Sequence, residues 1–365
     1  MKLKKITLVG YYGYDNLGDD IMLYCILKAL LDRHNNLSIN LLAKRSENLI
    51  SIVSKFERVN FYEFKNKSPF NNFLLYLKCI LESKLTIWGG GTCFSDEDGI
   101  GNLKYFRINN LIGRKFGYLG IGIGNILKKD SQKKTEWLLN RTEFAVFREE
   151  KSFTLAKNVS SNKNLYLSSD LSYLYTNEID SRTIKKDYIL LSLRDLSNFY
   201  SKKEIIHRHE IIMSFLIDYV STRKINIKIL PIDSIKDNDV NLIFYNTLKY
   251  KLESIGNNIE FIDETFFDSK IKLIQEASLN ITERLHSIVM SKIFNTKCIG
   301  LSYSPKIDRF YKEIKDNNFI TWQESISLEK LYEVEATCKN FDSNIFTKLK
   351  EEASKNIDLL EKHLG

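Results

Sequence analysis

An arginine and a histidine stand where an apolar strand meets an apolar helix. The predicted strand covers residues 279–282, the motif is Arg284-Leu285-His286, and the predicted helix covers residues 287–294. A helix start gathers free backbone N–H groups and the positive end of the helix dipole. Because Arg and protonated His add charged donors, the motif predicts a binding site for a carboxylate or a phosphate. A histidine that only caps the helix is the alternative for His286.

A glycine-rich loop follows the first predicted strand, residues 6–9. Its glycines are Gly10, Gly13 and Gly18, and their spacing differs from the dinucleotide-binding pattern GxGxxG. Glycine lets the backbone approach a ligand, Asn16 can orient a ligand, and Asp19 can accept a hydrogen bond from a hydroxyl group. We therefore predict that Gly13 and Asn16 line a substrate. The alternative is a tight turn in which Asp19 or Asp20 caps the following helix.

Other predicted strands also end in glycine or arginine. Gly89-Gly90-Gly91-Thr92 follows a strand directly, and we favour a substrate-lining loop over a plain turn for these residues. Arg194 either pairs structurally or points into a cleft, and we favour the cleft because Arg284 ends a sister strand. Arg148 also closes a strand, but Glu149-Glu150 could neutralise it, so both roles stay open.

Short apolar strands alternate with helices along most of the chain. This alternation predicts an α/β fold of two lobes, each with a parallel sheet covered on both faces. The pattern restarts after a polar stretch at residues 176–180. We predict an N-terminal lobe over residues 1–172, a C-terminal lobe over 173–342, and a helix over 343–365 that can pack back on the N-terminal lobe. Ligands bind outside the carboxyl ends of parallel strands, so a cleft between the lobes is the expected ligand site.

The composition is that of an ordinary globular protein. Of the 365 residues, 43% are hydrophobic and 27% are charged, and the formal net charge is +8. This basicity suits an acidic small substrate or an anionic membrane surface, whereas scattered lysines without a DNA or RNA motif argue against nucleic acid. Five cysteines without CxxC spacing predict buried, reduced thiols in a cytoplasmic protein. No cluster has metal-ligand spacing, so we predict no metal site and no cofactor.

One predicted helix, residues 71–81, is strongly apolar and has lysines around it. They are Lys65, Lys67, Lys78 and Lys84. A helix of the protein core is the favoured interpretation, and a helix that lies on a membrane surface is the alternative. The N-terminal apolar run is too short for a signal peptide, and no run reaches the length of a spanning helix. We therefore expect a cytoplasmic protein, with peripheral contact at the inner face of the membrane as the alternative.

Several of these stretches together resemble the polysaccharide pyruvyl transferase family. They are residues 10–20, 87–91, 119–124, 147–150, 191–194, 284–286 and 299–306, in the order of the family. The first stretch and Arg284-Leu285-His286 are the most specific in combination. The sequence departs from the family at Asn295-Thr296-Lys297, where many members have Gly-x-Pro, and at Ser304, where Asp is common.

The resemblance implies a glycosyltransferase-B-like fold of two Rossmann-like lobes. It implies transfer of pyruvate from phosphoenolpyruvate, used as a co-substrate, to a sugar of a capsule, exopolysaccharide or lipid-linked precursor. The products are a pyruvate ketal and phosphate. Donor residues of the family fall on Arg194, Arg284 and His286, and His286 and Arg284 are the expected catalytic residues. Asp19 is the candidate that orients or deprotonates the acceptor hydroxyl.

Two other functions stay open at this point. A glycosyltransferase of the same fold that uses a nucleotide sugar would place its diphosphate on the same Arg and His. A carbohydrate-binding protein without catalysis is the second alternative, although two anion sites argue against it. Donor binding and phosphate release distinguish the three functions.

Overall fold

The computed structural model describes residues 4–65, 68–97, 99–175, 185–223, 225–338 and 343–364. The chain divides into two compact units. Unit 1 comprises Met1–Tyr14, Gly18–Thr176 and Thr347–Gly365, and unit 2 comprises Asp15–Leu17 and Asn177–Phe346. The polar stretch at residues 176–180, where the sequence predicts a boundary, lies outside the described residues, as does Lys67.

Unit 1 is built on a nine-stranded sheet. Its strands are β1 (Lys4–Val9), β2 (Leu37–Ala43), β3 (Val59–Glu63), β4 (Leu85–Gly89), β5 (Thr92–Ser95), β6 (Gly99–Ile100), β7 (Lys115–Ile123), β8 (Phe144–Phe147) and β9 (Leu165–Leu167). Its helices are α1 (Leu17–Arg33), α2 (Glu47–Val53), α3 (Pro69–Glu82), α4 (Leu103–Leu111), α5 (Lys129–Arg141), α6 (Glu150–Val159) and a short 3-10 helix (Leu171–Leu174). The strand order is β3-β2-β1-β4-β7-β5-β6, and β8 joins β7 to β9.

The strand pairs of unit 1 are parallel except for the pair β5–β6. Strands β2, β4 and β8 are buried along their whole length. A parallel sheet hides both faces under helices, so its strands are continuous apolar runs instead of alternating ones. Parallel pairing also brings the carboxyl ends of neighbouring strands to one edge of the sheet, where the glycine-rich loops follow β1 and β4.

Unit 2 is built on a six-stranded parallel sheet of order β12-β11-β10-β13-β14-β15. Its strands are β10 (Lys186–Ser192), β11 (Asn226–Ile229), β12 (Ile259–Phe261), β13 (Ala277–Thr282), β14 (Cys298–Leu301) and β15 (Phe319–Ile320). Its helices are α7 (Lys202–Ser221), α8 (Asn238–Glu253), α9 (Phe267–Glu276), α10 (Leu285–Ile293), α11 (Pro305–Glu313) and α12 (Leu328–Thr337). Ile189, Ile281 and Phe215 are fully buried in its core.

The last helix, α13 (Ser343–Leu364), contributes residues from Thr347 onward to unit 1. Arg33 Nη1 lies 2.6 Å from Asp358 Oδ1 and His34 Nε2 lies 2.9 Å from Glu361 Oε1. Buried Asn356 donates from Nδ2 to Ser168 Oγ at 2.9 Å. Because a buried amide needs its partners, this bond fixes the middle of the helix on unit 1.

Helix α3 has two different apolar faces. Tyr76, Cys79 and Ile80 are buried in the core of unit 1, whereas Phe70, Leu74 and Leu81 are exposed. The predicted core helix therefore exists, and its opposite face is also apolar. Within the described part of the chain, no helix is long and apolar enough to span a bilayer. All five cysteines are buried and free, as the sequence predicts.

Candidate functional site

Two neighbouring strands of unit 2 place Arg194 and Arg284 at one edge of the sheet. Strands β10 and β13 pair in parallel with Ser192 opposite Thr282, and each arginine lies two residues beyond. The backbone N–H of Glu283 donates to Ser192 O at 3.0 Å, so the pairing continues past the strands. The position that the sequence predicts for both arginines, at sister strand ends, is what the structure has.

Arg284 is held by two carboxylates that the sequence analysis missed. Its Nε donates to Asp237 Oδ2 at 2.6 Å and its Nη2 to Asp237 Oδ1 at 2.5 Å. Nη2 also lies 3.5 Å from Asp233 Oδ2. Two parallel N–H···O bonds are the strongest geometry of an Arg–carboxylate pair. Among the described residues, no acceptor contacts Nη1 of Arg284, so this nitrogen can still serve a ligand.

Burial opposes a charge on both partners of this ion pair. It raises the pKa of Asp237 above its ordinary value, even though Arg284 acts in the opposite direction. Burial alone would lower the pKa of Arg284, but Asp237, Asp233 and Tyr303 together outweigh it, so the pKa of Arg284 is raised. Arg284 therefore stays charged, with much of its charge already balanced.

Arg194 has aromatic neighbours instead of acidic ones. Its guanidinium carbon lies 4.5 Å from the centre of the Tyr303 ring and 5.2 Å from that of Phe199, and Nη1 donates to Tyr303 Oη. Over the part of the chain that the structure describes, no carboxylate forms an ion pair with Arg194. Stacking on aromatic faces orients a guanidinium without neutralising it. Half-buried Arg194 thus offers a preorganised cation for an anionic ligand.

A buried Glu283–Arg208 pair holds these strand ends together. Glu283 is completely buried, and its Oε2 accepts from the backbone N–H of Arg194 at 2.9 Å. Its Oε1 accepts from Nε of Arg208, on α7, at 2.7 Å. Nη2 of Arg208 donates to Ser302 O, beyond β14, at 3.4 Å. One carboxylate therefore links the ends of β10 and β13 to α7, and Arg208 extends the link to β14.

His286 lies in the first turn of α10 and is half-buried. Arg284 is the residue before that helix, and its side chain makes no capping hydrogen bond. The structure thus brings Arg194, Arg284 and His286 to the same edge of the unit 2 sheet. Two positive side chains and the start of a helix are suited to an anion with two charged groups.

Asn16 belongs to this edge as well. Residues Asp15–Leu17 group with unit 2, where Asn16 forms an antiparallel bridge with Asp233. The backbone N–H of Leu17 donates to Ile232 O at 3.2 Å. Asp233 also lies close to Arg284, with Oδ2 of Asp233 3.5 Å from Nη2 of Arg284. Asn16 of the glycine-rich loop is therefore next to the arginine site.

The glycine loop of unit 1 lies beside Asp19 and Arg148. A Cβ atom added to Gly91 would lie 3.3 Å from Asp19 Oδ1. Thr92 Oγ1 accepts from Nη2 of Arg148 at 3.3 Å, and Nη1 of Arg148 donates to Asp170 Oδ2 at 2.8 Å. The structure therefore brings Asp19, Gly91, Thr92 and Arg148 together. Arg148 thus forms an ion pair with Asp170, which the sequence does not predict, and its second nitrogen contacts the loop at Thr92.

Gly13 and Gly89 face the protein interior. Gly13 has a φ of +80°, and a Cβ there would lie 1.9 Å from the carbonyl oxygen of Lys44. A Cβ on Gly89 would lie 2.5 Å from Tyr12 Oη, which donates to Gly89 O. These two glycines are required for close packing. Gly90, with a φ of +71°, packs on Met22.

No group of three or more His, Cys, Asp or Glu side chains in the described ranges could hold a metal ion. The carboxylates near Arg284 are occupied by that arginine.

Two parallel-sheet units with polar residues at their strand ends define the glycosyltransferase-B-like class of two Rossmann-like lobes. The chain is similar in fold to UDP-GlcNAc 2-epimerase from Methanocaldococcus jannaschii, with a TM-score of 0.66, 15% identity, and coverage of 98% of this chain and 99% of that chain. For UDP-GlcNAc 2-epimerase from Neisseria meningitidis bound to UDP-GlcNAc, the TM-score is 0.64 and the identity 11%, with coverage of 98% of this chain and 100% of that chain. For a glycosyltransferase from Rickettsia africae, the TM-score is 0.60 and the identity 14%, with coverage of 100% of this chain and 99% of that chain. At these identities the likeness shows the fold.

The family follows from the sequence itself. The family model for polysaccharide pyruvyl transferase matches residues 16–305, which is well over half of the chain. The chain therefore belongs to the polysaccharide pyruvyl transferase family, as the motifs predict. This family implies a transferase that acts on a polysaccharide or sugar acceptor. No curated protein sequence matches the chain.

Proposed function

We propose that the protein transfers pyruvate from phosphoenolpyruvate to a sugar of a cell-surface polysaccharide or its precursor. The single observation that supports this donor most strongly is the environment of Arg194. This arginine is oriented by Tyr303 and Phe199, has no acidic partner among the described residues, and lies on a strand next to that of Arg284. Phosphoenolpyruvate has a carboxylate and a phosphate, and its two ends need two cationic contacts.

Each residue has its own role in binding the donor. Arg194 binds one anionic group of the donor, and no carboxylate among the described residues offsets its positive charge. Arg284, already paired with Asp237, contributes Nη1 and a fixed orientation to the second group. The backbone N–H groups in the first turn of α10 point along the positive end of the helix dipole and add to the binding of an anion. His286 lies within that turn and is the proposed general acid.

The chemistry balances without a further reactant. His286 gives a proton to the methylene carbon, which becomes the methyl group, and C2 becomes an oxocarbenium-like centre. A sugar hydroxyl adds to C2, phosphate leaves by C–O cleavage, and a second hydroxyl of the sugar closes the ketal. Of the two hydroxyl protons, one restores the acid form of His286 and the other leaves with the phosphate, and Asp19 of unit 1 is the proposed first acceptor for one of them. The lipid-linked form of the acceptor and the cytoplasmic location remain part of this proposal.

An isotope experiment tests the reaction. Phosphoenolpyruvate with ¹⁸O in the bridging position is incubated in D₂O with protein and a panel of free and lipid-linked sugars. C–O cleavage sends the ¹⁸O into inorganic phosphate, and protonation by an exchangeable group places one deuterium in the ketal methyl. Phosphate without ¹⁸O would mean P–O cleavage, which contradicts the mechanism.

A second candidate is a glycosyltransferase that uses a nucleotide sugar. It is favoured by one observation, that structures of similar fold include an epimerase bound to UDP-GlcNAc. In that case a nucleotide sugar, and not phosphoenolpyruvate, should bind and turn over. A protein that binds sugars without releasing phosphate or nucleotide from either donor would be the non-catalytic alternative.

A further inference from the structure

Helix α3 carries an apolar stripe on the side that faces away from the core. Phe70, Leu74 and Leu81 are 70%, 46% and 50% exposed. They are separated by four and seven residues, a spacing that places side chains on the same side of a helix. The solvent side of a surface helix is normally polar. A row of large exposed apolar side chains therefore indicates a surface that contacts something other than water.

The end of α4 extends this stripe. Leu111 is 83% exposed, and Ile112 beside it is also exposed. Arg114, two residues further, donates from Nη2 to Leu81 O at 3.2 Å. The rings of Tyr76 and Tyr105 pack with centres 4.5 Å apart, so α3 and α4 lie side by side. We call the surface formed by Phe70, Leu74, Leu81, Leu111 and Ile112 the apolar face.

The same two helices and their flanking segments also carry exposed basic side chains. They are Lys65, Lys78, Lys84, Lys104 and Arg107. The acidic residue of α3, Glu82, is paired with Lys5 at 3.1 Å. An apolar stripe with basic residues at its margins is the pattern of a helix that lies in the interface of a bilayer containing anionic lipids.

We propose that the apolar face docks on an anionic membrane surface. Its apolar side chains would enter the boundary between headgroups and acyl chains, and its lysines would contact lipid phosphates. A second copy of the chain is a poorer occupant because it would bring the same cations together. The proposal concerns a surface of unit 1 and does not depend on the donor or on the chemistry of unit 2.

Co-sedimentation with vesicles tests the proposal. One set contains phosphatidylcholine alone, and the other contains equal amounts of phosphatidylcholine and phosphatidylglycerol. We expect binding to the second set that weakens with added salt. Leu74→Ser with Leu81→Ser should lower the affinity about tenfold, from the loss of apolar burial. Lys78→Gln with Lys84→Gln should weaken binding to the anionic vesicles only.

The matched control is Ile243→Ser with Tyr250→Ser, which removes exposed apolar side chains from α8 of unit 2. It should bind vesicles like the wild-type protein, and circular dichroism should show that all variants are folded. Three results would overturn the proposal: no binding to anionic vesicles, equal binding to both vesicle sets, or an equal loss in the control. A dimer that only the α3 variant dissociates in analytical ultracentrifugation would assign the face to self-association instead.

Discussion

Arg284 donates two hydrogen bonds to the carboxylate of Asp237, and both side chains are largely buried. The arginine that the sequence singles out is therefore held in one orientation, and within the described ranges its Nη1 has no hydrogen-bond acceptor. Its orientation is fixed before any ligand binds, which lowers the entropy cost of binding. Substitutions can therefore distinguish a role of Arg284 in stability from its proposed role in donor binding.

Asp237→Asn should destabilise unit 2, since it removes the main counter-charge of a buried arginine. Breaking a buried pair by removing one partner costs about 3 kcal/mol or more. Urea unfolding measures this loss. The double variant Asp237→Leu with Arg284→Met should recover most of the stability, because an apolar pair of similar size can replace a buried ion pair. It should still fail to bind phosphoenolpyruvate. If the double variant binds the donor normally, Arg284 has only a structural role.

Arg194→Ala should raise KM for phosphoenolpyruvate more than it lowers kcat. An interaction made equally in the ground state and the transition state affects mainly KM. Arg223→Ala is the matched control. Arg223 also stacks on a tyrosine, with its guanidinium carbon 3.9 Å from the centre of the Tyr219 ring, but it lies just beyond the end of α7. Steady-state kinetics should show the KM effect in the first variant only. An unchanged KM in Arg194→Ala would remove this residue from the donor site.

His286→Gln should lower kcat at least about a hundredfold if the imidazole is the general acid. The thermal unfolding midpoint should change little, because His286 is half-buried at the start of a helix and its loss leaves no large core cavity. Kinetics and calorimetry measure the two effects separately. A fall in stability without a fall in kcat would support the helix-capping role instead.

His209 should make the protein less stable in mild acid. Burial lowers the pKa of its imidazole below the ordinary value of 6.5. The folded state therefore binds this proton less well than the unfolded state. The contribution of His209 to the free energy of unfolding is fully present above the pKa that it has in the unfolded state, and it is lost as the pH drops through its pKa in the folded state. His209→Phe, which keeps a ring against Phe244, should lose this part of the acid sensitivity. The matched control is His207→Gln, at an exposed histidine, and this variant should keep the full acid sensitivity. Urea unfolding at a series of pH values measures the acid sensitivity of each variant.

Much of the sheet architecture can be predicted from the sequence. Strands buried on both faces are continuous apolar runs, and β8 (Phe144–Phe147) ends directly before Arg148, the residue predicted to close a strand. The apolar pattern does not predict β3 (Val59–Glu63), because this strand is only partly buried at the edge of its sheet and includes polar residues. The pattern does not predict the short β5–β6 hairpin either, because the glycines before β5 favour a loop.

The two arginine positions are predictable because strand ends place them, but their surroundings are not. Asp237 lies 47 positions before Arg284 in the chain, and no local pattern connects the two. Glu283 did have a signal, since an acidic residue directly after a buried strand needs a cationic partner. The identity of that partner, Arg208, depends on how α7 packs over the sheet. The partner of His34 is likewise not predictable from the residues near it in the sequence. It is Glu361, because α13 packs on unit 1.

The central claim is that the donor is phosphoenolpyruvate bound at the arginine edge of unit 2. Isothermal titration calorimetry of the wild-type protein and Arg194→Ala, with phosphoenolpyruvate and with UDP-GlcNAc, tests it most directly. We predict that the wild-type protein binds phosphoenolpyruvate, that Arg194→Ala binds it at least about tenfold more weakly, which is a loss of ~1.4 kcal/mol, and that UDP-GlcNAc does not bind. Binding of UDP-GlcNAc without binding of phosphoenolpyruvate would contradict the account.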